Sequence, residues 1–464
     1  MGVGRVGQGL VASRPVLLEK IVEIRTAVDV FHRFSSLIAG PAIAARRPQS
    51  PKRLHRSGLE RLRRLHIFGF ATTRVPLIIP VMNSLIPRLL VGALGHFLFF
   101  GQVAPAGSAE LAPGGNSPAH LAAKQFLRGA NLGNYLEAPP KANWGAKYTA
   151  DDFVNIQGEG FDHVRVPIAW HHYAGPSPEF KLAAEIFAQA DFLITNALNH
   201  GLNVILNIHH FDEFTSEPAA HTEKFYALWR QIAARYATSP PAVAFELLNE
   251  PKDKATTVLL NPIYAEAIRI IRETNPRRVI FVGPGKWNQV SELPNLHLPE
   301  TDENLIVTVH CYDPFYFTHQ SASWAGEDVK RLKGIQFPGP PGKPFVLDPA
   351  LGLKASVTNW IQRYNTLPAD QNPCSSRPFR EKIKIAKQWS DEHQRPIHMG
   401  EFGCYVQADF SSRARFYKEF RVALEEVGMG WAVWDWKAGF RYWDDAKKQP
   451  APGMREALFG AKAR

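Results

Sequence analysis

Val243–Pro251 reads VAFELLNEP: a short apolar run that ends in Asn249–Glu250 and is closed by a proline. Such a run, rich in residues that suit a pleated and buried surface, reads as a strand with its polar residues gathered at the C-terminal end. Moving outward, the same design recurs. Strands are expected at Phe126–Leu132, His163–Pro167, Asn203–His209, Ala244–Asn249, Val279–Val282, Leu305–His310, Ile397–Glu401 and Trp431–Trp434. Helical stretches lie between them, clearest at Lys181–Asn199 and Thr222–Tyr236. In the second of these, Phe225, Leu228, Trp229, Ile232 and Tyr236 share one face. Eight strands alternating with helices predict an α/β fold, a (β/α)8 TIM barrel. The alternative, a doubly wound sheet, finds no Gly-rich phosphate loop after the first strand.

A (β/α)8 barrel opens all its strand C-termini on one face. The residues expected to meet there are Asn134 and Glu137, Arg165, His209 and His210, Asn249 and Glu250, His310 with Tyr312, Glu401, and Trp434 with Asp435. Gly334–Pro378, with a Pro/Gly-rich start and a second break at Asn372–Pro378, reads as a surface insertion between the sixth strand and its helix.

The net charge of +11 suggests a polyanionic partner until it is located. Residues 1–81 hold 14 Lys and Arg against 4 Asp and Glu, and Arg88 adds one more cation. Residues 110–464 are balanced, so the basicity describes the N-terminal stretch and gives no support to nucleic-acid binding by the main domain. Residues 82–109 follow the order of a secretory signal: Arg88, the apolar run Leu89–Phe100, then small residues up to Ala109. The run is too short for a bilayer, which needs about 20 apolar residues. Translation is therefore expected to start at Met82, with 1–81 as upstream sequence; a basic arm around Arg61–Arg64 that touches RNA or anionic lipid is the rival. A secreted or periplasmic, monomeric domain over 110–464 is the expectation.

Two glutamates at strand ends, Glu250 in VAFELLNEP and Glu401 in IHMGEFG (Ile397–Gly403), suit acid–base and nucleophilic work across a glycosidic bond. Neither segment is unusual alone. Together with RGANLGNYLEAP (Arg128–Pro139), GFDHVRVPIAW (Gly160–Trp170), VILNIHHFDE (Val204–Glu213), HTEKFYALWRQIAARY (His221–Tyr236), HCYDPFYFTHQSASW (His310–Trp324) and WAVWDWKAGF (Trp431–Phe440), they form an ordered series. On these motifs residues 126–460 resemble glycoside hydrolase family 5, the cellulase family of clan A, and most of all its broad-specificity endoglucanase/mannanase branch from thermophilic bacteria.

The resemblance implies a retaining endo-β-1,4-glucanase with a polysaccharide partner and no cofactor; mannan or mixed-linkage glucan and xyloglucan are the alternative substrates. It implies Glu250 as acid/base and Glu401 as nucleophile, steadied by Arg165 and Tyr312, with His310 beside the pair. It implies that Asn249 meets the sugar 2-OH, that His209, His210 and Trp434 surround the −1 sugar, and that Asn134 and Glu137 bind near −2. His319 and Trp324 fall on the leaving-group side, and Trp287 matches a cleft aromatic. Departures from the family pattern are Asp435 in place of Glu, Trp436 in place of a smaller aromatic, and Cys311 and Cys404; the first two lie beside the Trp434 platform, where a change could alter −2 preference. Trp144, Trp170, Trp229, Trp360 and Trp389 read as packing residues. No metal is expected: adjacent histidines in a strand point to opposite faces, and no H-E-x-x-H helix exists. Cys311 and Cys404 follow neighbouring strands, so a disulfide between them and buried free thiols both stand open, with Cys374 unpaired in the insertion. A carbohydrate-binding barrel without catalysis is the competing class; such a protein would lack one of the two carboxyls.

Overall fold

The computed structural model describes residues 115–460. The basic stretch 1–81, the signal-like segment 82–109 and the first residues of the expected domain lie outside the described residues. Eight parallel strands close into a barrel: β1 (Arg128–Asn131), β2 (His163–Val166), β3 (Asn203–Asn207), β4 (Val243–Glu246), β5 (Ile280–Val282), β6 (Leu305–His310), β7 (Ile397–Phe402) and β8 (Gly430–Val433). Closure is made by β1 against β8, with Arg128, Gly129 and Ala130 opposite Trp431, Ala432 and Val433. No helix among the described residues is long and apolar enough to cross a membrane.

Helix α1 (Pro118–Ala123) covers the N-terminal end of the barrel. The outer layer is α2 (Ala150–Glu159), α3 (Ala184–Asn199), α4 (Pro218–Arg235), α5 (Thr257–Arg272), α6 (Ala355–Thr366), α7 (Arg377–His393), α8 (Phe410–Glu426) and α9 (Met454–Phe459). The two helices expected from periodicity appear as α3 and α4, with α3 starting later than expected and α4 earlier, at Pro218. A 3-10 helix at Val290–Asn295, with Pro294 inside it, stands where a fifth barrel helix would run.

Period-two alternation separates two apolar layers. Val204 and Leu206 of β3, with Val243 and Phe245 of β4, pack outward under the helices. Ile205 and Ala244 point inward with Phe126, Phe281 and Ile306 to fill the barrel floor. The upper interior is polar and buried: Asn131, Arg165, Asn207, Glu246, Thr308 and His310.

The alternation is interrupted once, on the strand that carries Glu401. Ile397 and Met399 face the helices, so an unbroken strand would turn Glu401 the same way. The pairing instead shifts: Val309 sits opposite Met399, whereas His310 sits opposite Glu401, with Gly400 as the extra residue. This β-bulge rotates Glu401 into the barrel mouth. A Cβ at position 400 would lie 2.9 Å from the His310 ring, which is why the bulged residue is glycine.

The segment from Gly334 onward is the expected insertion between β6 and its helix and is largely exposed, but it also sends side chains into the core. Ile335, Phe337, Tyr364 and Cys374 are buried in the main core. Phe337 packs against Phe317 and Phe416 at ring distances of 5.5 and 5.7 Å. The segment carries its own helix α6, and its end also shifts, since Pro378 already lies in the first turn of α7. Pro- and Gly-rich wording concealed the buried stripe within this insertion. Phe337→Ala is expected to cost about 3–5 kcal/mol, read as a lower urea midpoint at unchanged slope; a change below 1 kcal/mol would restore the surface reading.

Candidate active site

The barrel mouth is organised around Arg165 on β2, which is wholly buried. Its Nε and Nη2 donate to the two oxygens of Glu246 at 2.6 and 2.8 Å. Nη1 donates to Glu401 Oε1 and to Asn131 Oδ1, both at 2.8 Å, and Nη2 also donates to Asn249 Oδ1 at 2.7 Å. All five guanidinium donors are thereby used. Asn131 links this network to the bulge, because its Nδ2 donates to the Gly400 carbonyl at 3.0 Å and to that of Val433 at 3.2 Å.

Glu401 receives the Tyr312 hydroxyl at 2.8 Å on its other oxygen. Glu250 lies 2.8 Å from His310 Nδ1, and the far side of that ring is 3.3 Å from the Asn288 amide. One oxygen of each glutamate and a ring nitrogen of His310 lie within 4.8 Å of one another. This belongs to the short class of carboxyl pairs, about 5–5.5 Å between groups, and not to the pairs about 6.5–9.5 Å apart that leave room for a water. Glu250 takes a positive φ of 44°, an uncommon conformation for a side chain of its size, and one often found where a residue is aimed into a site.

The two carboxyls differ in their surroundings. Burial raises Glu250 to about 7, with Arg165 and Lys252 acting in the other direction and Glu246 reinforcing the rise. Burial raises Glu401 as well, but His310, Arg165 and the Tyr312 hydroxyl oppose it. Burial also lowers His310 to about 4, so that imidazole stays neutral near pH 7.

The remaining expected residues ring the same mouth. His209 stacks on Trp434 with ring centres 5.7 Å apart and planes 9° from parallel. Gly133 is required here, since a Cβ would lie 2.9 Å from the Trp434 ring. His210 does not point away from His209, as strand alternation suggested. The strand ends at Asn207, His210 has φ 49°, and the two rings meet edge to face at 4.3 Å. Glu137 is buried and accepts the backbone N–H groups of Asn134 and Tyr135, the second at 2.9 Å; burial raises it to about 7. Trp287 is held to the Glu250 loop by its N–H on the Pro251 carbonyl at 3.0 Å. His319 meets Tyr312 edge to face at 5.0 Å, and exposed Trp324 packs on Tyr405 at 4.8 Å.

Several expectations need correction. Asp435 is buried, and both its oxygens are taken by the chain itself: they accept the N–H groups of Ala438 and Phe440 at 2.5 and 3.1 Å. Trp436 is fully buried and donates to Asp152 at 3.0 Å. Trp144 is not a packing residue; it is 43% exposed and lies edge-on to His210 at 6.0 Å, a rim aromatic. The choice left open for Cys311 and Cys404 falls to buried free thiols, and Cys374 is unpaired as expected. Sequence reading missed Glu246 and Asn131. The available signal was a charged or amide side chain on an inward position of an otherwise apolar strand.

A parallel barrel whose mouth holds a close carboxyl pair, a buried arginine and stacked aromatics defines a glycoside hydrolase. The family description Cellulase (glycosyl hydrolase family 5) matches residues 124–439. The chain belongs to that family. It is 26% identical over 324 residues to Endoglucanase C of Acetivibrio thermocellus, covering 67% of this chain and 91% of that protein. It is 27% identical over 307 residues to Endoglucanase H of the same organism, covering 66% of this chain; the chain spans only 29% of that protein's length. Among solved structures, endoglucanase Cel5A of the hyperthermophile Thermotoga maritima superposes with a TM-score of 0.64 at 34% identity, covering 74% of this chain and 99% of that one. Complexes of Cel5A with cellobiose and with mannotriose align comparably.

Glu246→Ala leaves the buried Arg165 short of two acceptors. The expected loss of stability is about 3–5 kcal/mol in urea unfolding, while Glu246→Gln, which keeps one acceptor oxygen, loses less. Equal and small losses in both would show that Arg165 does not depend on this partner.

Proposed function

We propose that the chain is a retaining endo-β-1,4-glucanase in which Glu250 is the acid/base and Glu401 the nucleophile. The observation that carries this reading is the unequal bonding of two adjacent carboxyls. Glu401 accepts from a permanent cation and a phenol, so it holds negative charge. Glu250 faces a neutral imidazole in a buried site and retains its proton near neutral pH.

In the first step Glu401 attacks the anomeric carbon while Glu250 gives its proton to the departing glycosidic oxygen. The C–O bond breaks and a glycosyl ester forms on Glu401. Glu250, now ionised, takes a proton from the incoming water. Water attacks the same carbon, the ester bond breaks and Glu401 is released. Asn249 has its carbonyl oxygen committed to Arg165, so its NH2 group is the end available to the sugar 2-OH. Trp434, packed against His209, offers a flat apolar face to the −1 ring. Asn134 and Glu137 serve the −2 sugar, His319 and Trp324 line the leaving-group side, and Trp287 is a further cleft aromatic. Mannan is the second reading, favoured by the mannotriose complex of Cel5A. Export follows from the signal-like order of residues 82–109.

The test is hydrolysis of carboxymethyl-cellulose, barley β-glucan, glucomannan and mannan. Glu250→Gln is expected to lower kcat by about 10²–10⁴, and Glu401→Gln at least as much. Because the acid must be protonated, kcat falls as pH rises through about 7, where Glu250 loses its proton. NMR of the first products should show the β-anomer. An α-anomer, or full activity in either variant, would overturn the assignment.

A further inference from the structure

Between the ends of β2 and β3, on the rim beside His210, a second cluster of side chains plays no part in the chemistry above. We propose that His171, His172 and Glu213 form a binding site for a divalent first-row transition metal, Zn2+ in the first instance. His171 and His172 occupy the single 3-10 turn Trp170–Tyr173 that follows β2, and their ring centres lie 4.1 Å apart. Glu213 stands in the short helix Asp212–Ser216 that follows β3. One ligating atom from each of the three residues lies within 4.8 Å of the others, and His171 Nε2 is 3.6 Å from Glu213 Oε2.

Independent support comes from His171. It is 3% exposed, yet neither ring nitrogen has a hydrogen-bond partner. Buried polar atoms are nearly always satisfied, so an orphaned imidazole facing a carboxylate points to an absent partner that accepts a lone pair. Stacking on Phe211, with centres 4.6 Å apart and planes 10° from parallel, fixes the ring in place. His398 also has unpartnered ring nitrogens, but its neighbours are the rings of His163 and Phe281, and no carboxylate joins it.

Two imidazoles and one carboxylate match the donor set of zinc and leave a fourth position to water. Tetrahedral bonds of about 2.0–2.1 Å place ligand atoms about 3.3 Å apart, so the three groups need only a small closure. Magnesium and calcium, which favour all-oxygen shells, are poorly served. Lys224, whose ammonium lies 5.4 Å from the centre of the Phe211 ring, is a cation that counts against a bound metal. Asp212, beside Glu213, is 3.0 Å from Lys252. A bound ion would tie the β2 rim to the β3 rim next to His210. The inference does not rest on the glucanase reading.

The experiment is calorimetric titration of the chelator-treated full chain with ZnCl2, and in parallel with MgCl2. One Zn2+ per chain is expected, with no saturable heat from Mg2+ and a rise of a few degrees in Tm at saturating zinc. His172→Ala and Glu213→Gln, both at exposed positions, should each weaken Kd by about 10-fold or more. Glu250→Gln should retain one site, which separates this cluster from the Glu250, His310 and Glu401 group. Co2+ should give visible d–d absorption that the His172→Ala/Glu213→Gln double variant loses. Absence of saturable Zn2+ binding, an unchanged Kd in the double variant, or loss of the site in Glu250→Gln would each overturn the proposal.

Discussion

A guanidinium sealed inside a barrel is tolerable only if every donor finds an acceptor, because an unpaired buried charge costs several kcal/mol. Arg165 satisfies this with two carboxylates and two amides drawn from β1, from β4 and the turn after it, and from β7. These acceptors lie 34 to 236 residues away along the chain. A slip in any of those strands would leave donors empty. The network therefore fixes the relative register of the strands at the same time as it fixes the position of Glu401 and the orientation of Asn249.

The bulge at Gly400 is the local counterpart of that constraint. β7 must present Ile397 and Met399 to the helices and Glu401 to the mouth, which a regular strand cannot do with three residues of the same parity. One extra residue resolves the conflict, and it must be small because Thr308 and His310 crowd the position. Asn131 then holds the Gly400 carbonyl with the same amide whose oxygen binds Arg165. Bulge, arginine and nucleophilic position form one unit.

This explains what was legible in the sequence. Glu250, Glu401, Arg165, His310 and Tyr312 were visible because apolar strands ended in polar residues in a repeating order, and the barrel converges such ends. The inward role of Glu246 was hidden because a single charged residue inside VAFELL carries no partner on its face; the partner sits 81 residues earlier. Composition also misled around Gly334, where Pro and Gly mark chain direction and say nothing of Phe337 and Tyr364 packing between them. The rim position of Trp144 and the ring direction of His210 escaped for a different reason: both depend on loops beyond the strands, where alternation no longer applies. The bulge could have been inferred only by noticing that Glu401 shares parity with Ile397 and Met399.

Two glutamates in one buried mouth pose a problem of assignment. Burial raises both, so burial alone cannot make one an acid and the other a nucleophile. Arg165 supplies the difference, yet its field reaches Glu250 too and opposes that group's retention of a proton. Glu246 counters this. It occupies two of the five guanidinium donors, and its own charge acts on Glu250 in the direction opposite to Arg165. The cation's influence is thereby concentrated on the carboxylate it touches. A residue with no direct part in bond making keeps the second carboxyl available as an acid, and it does so from the end of β4, four positions before Glu250 in the turn that follows.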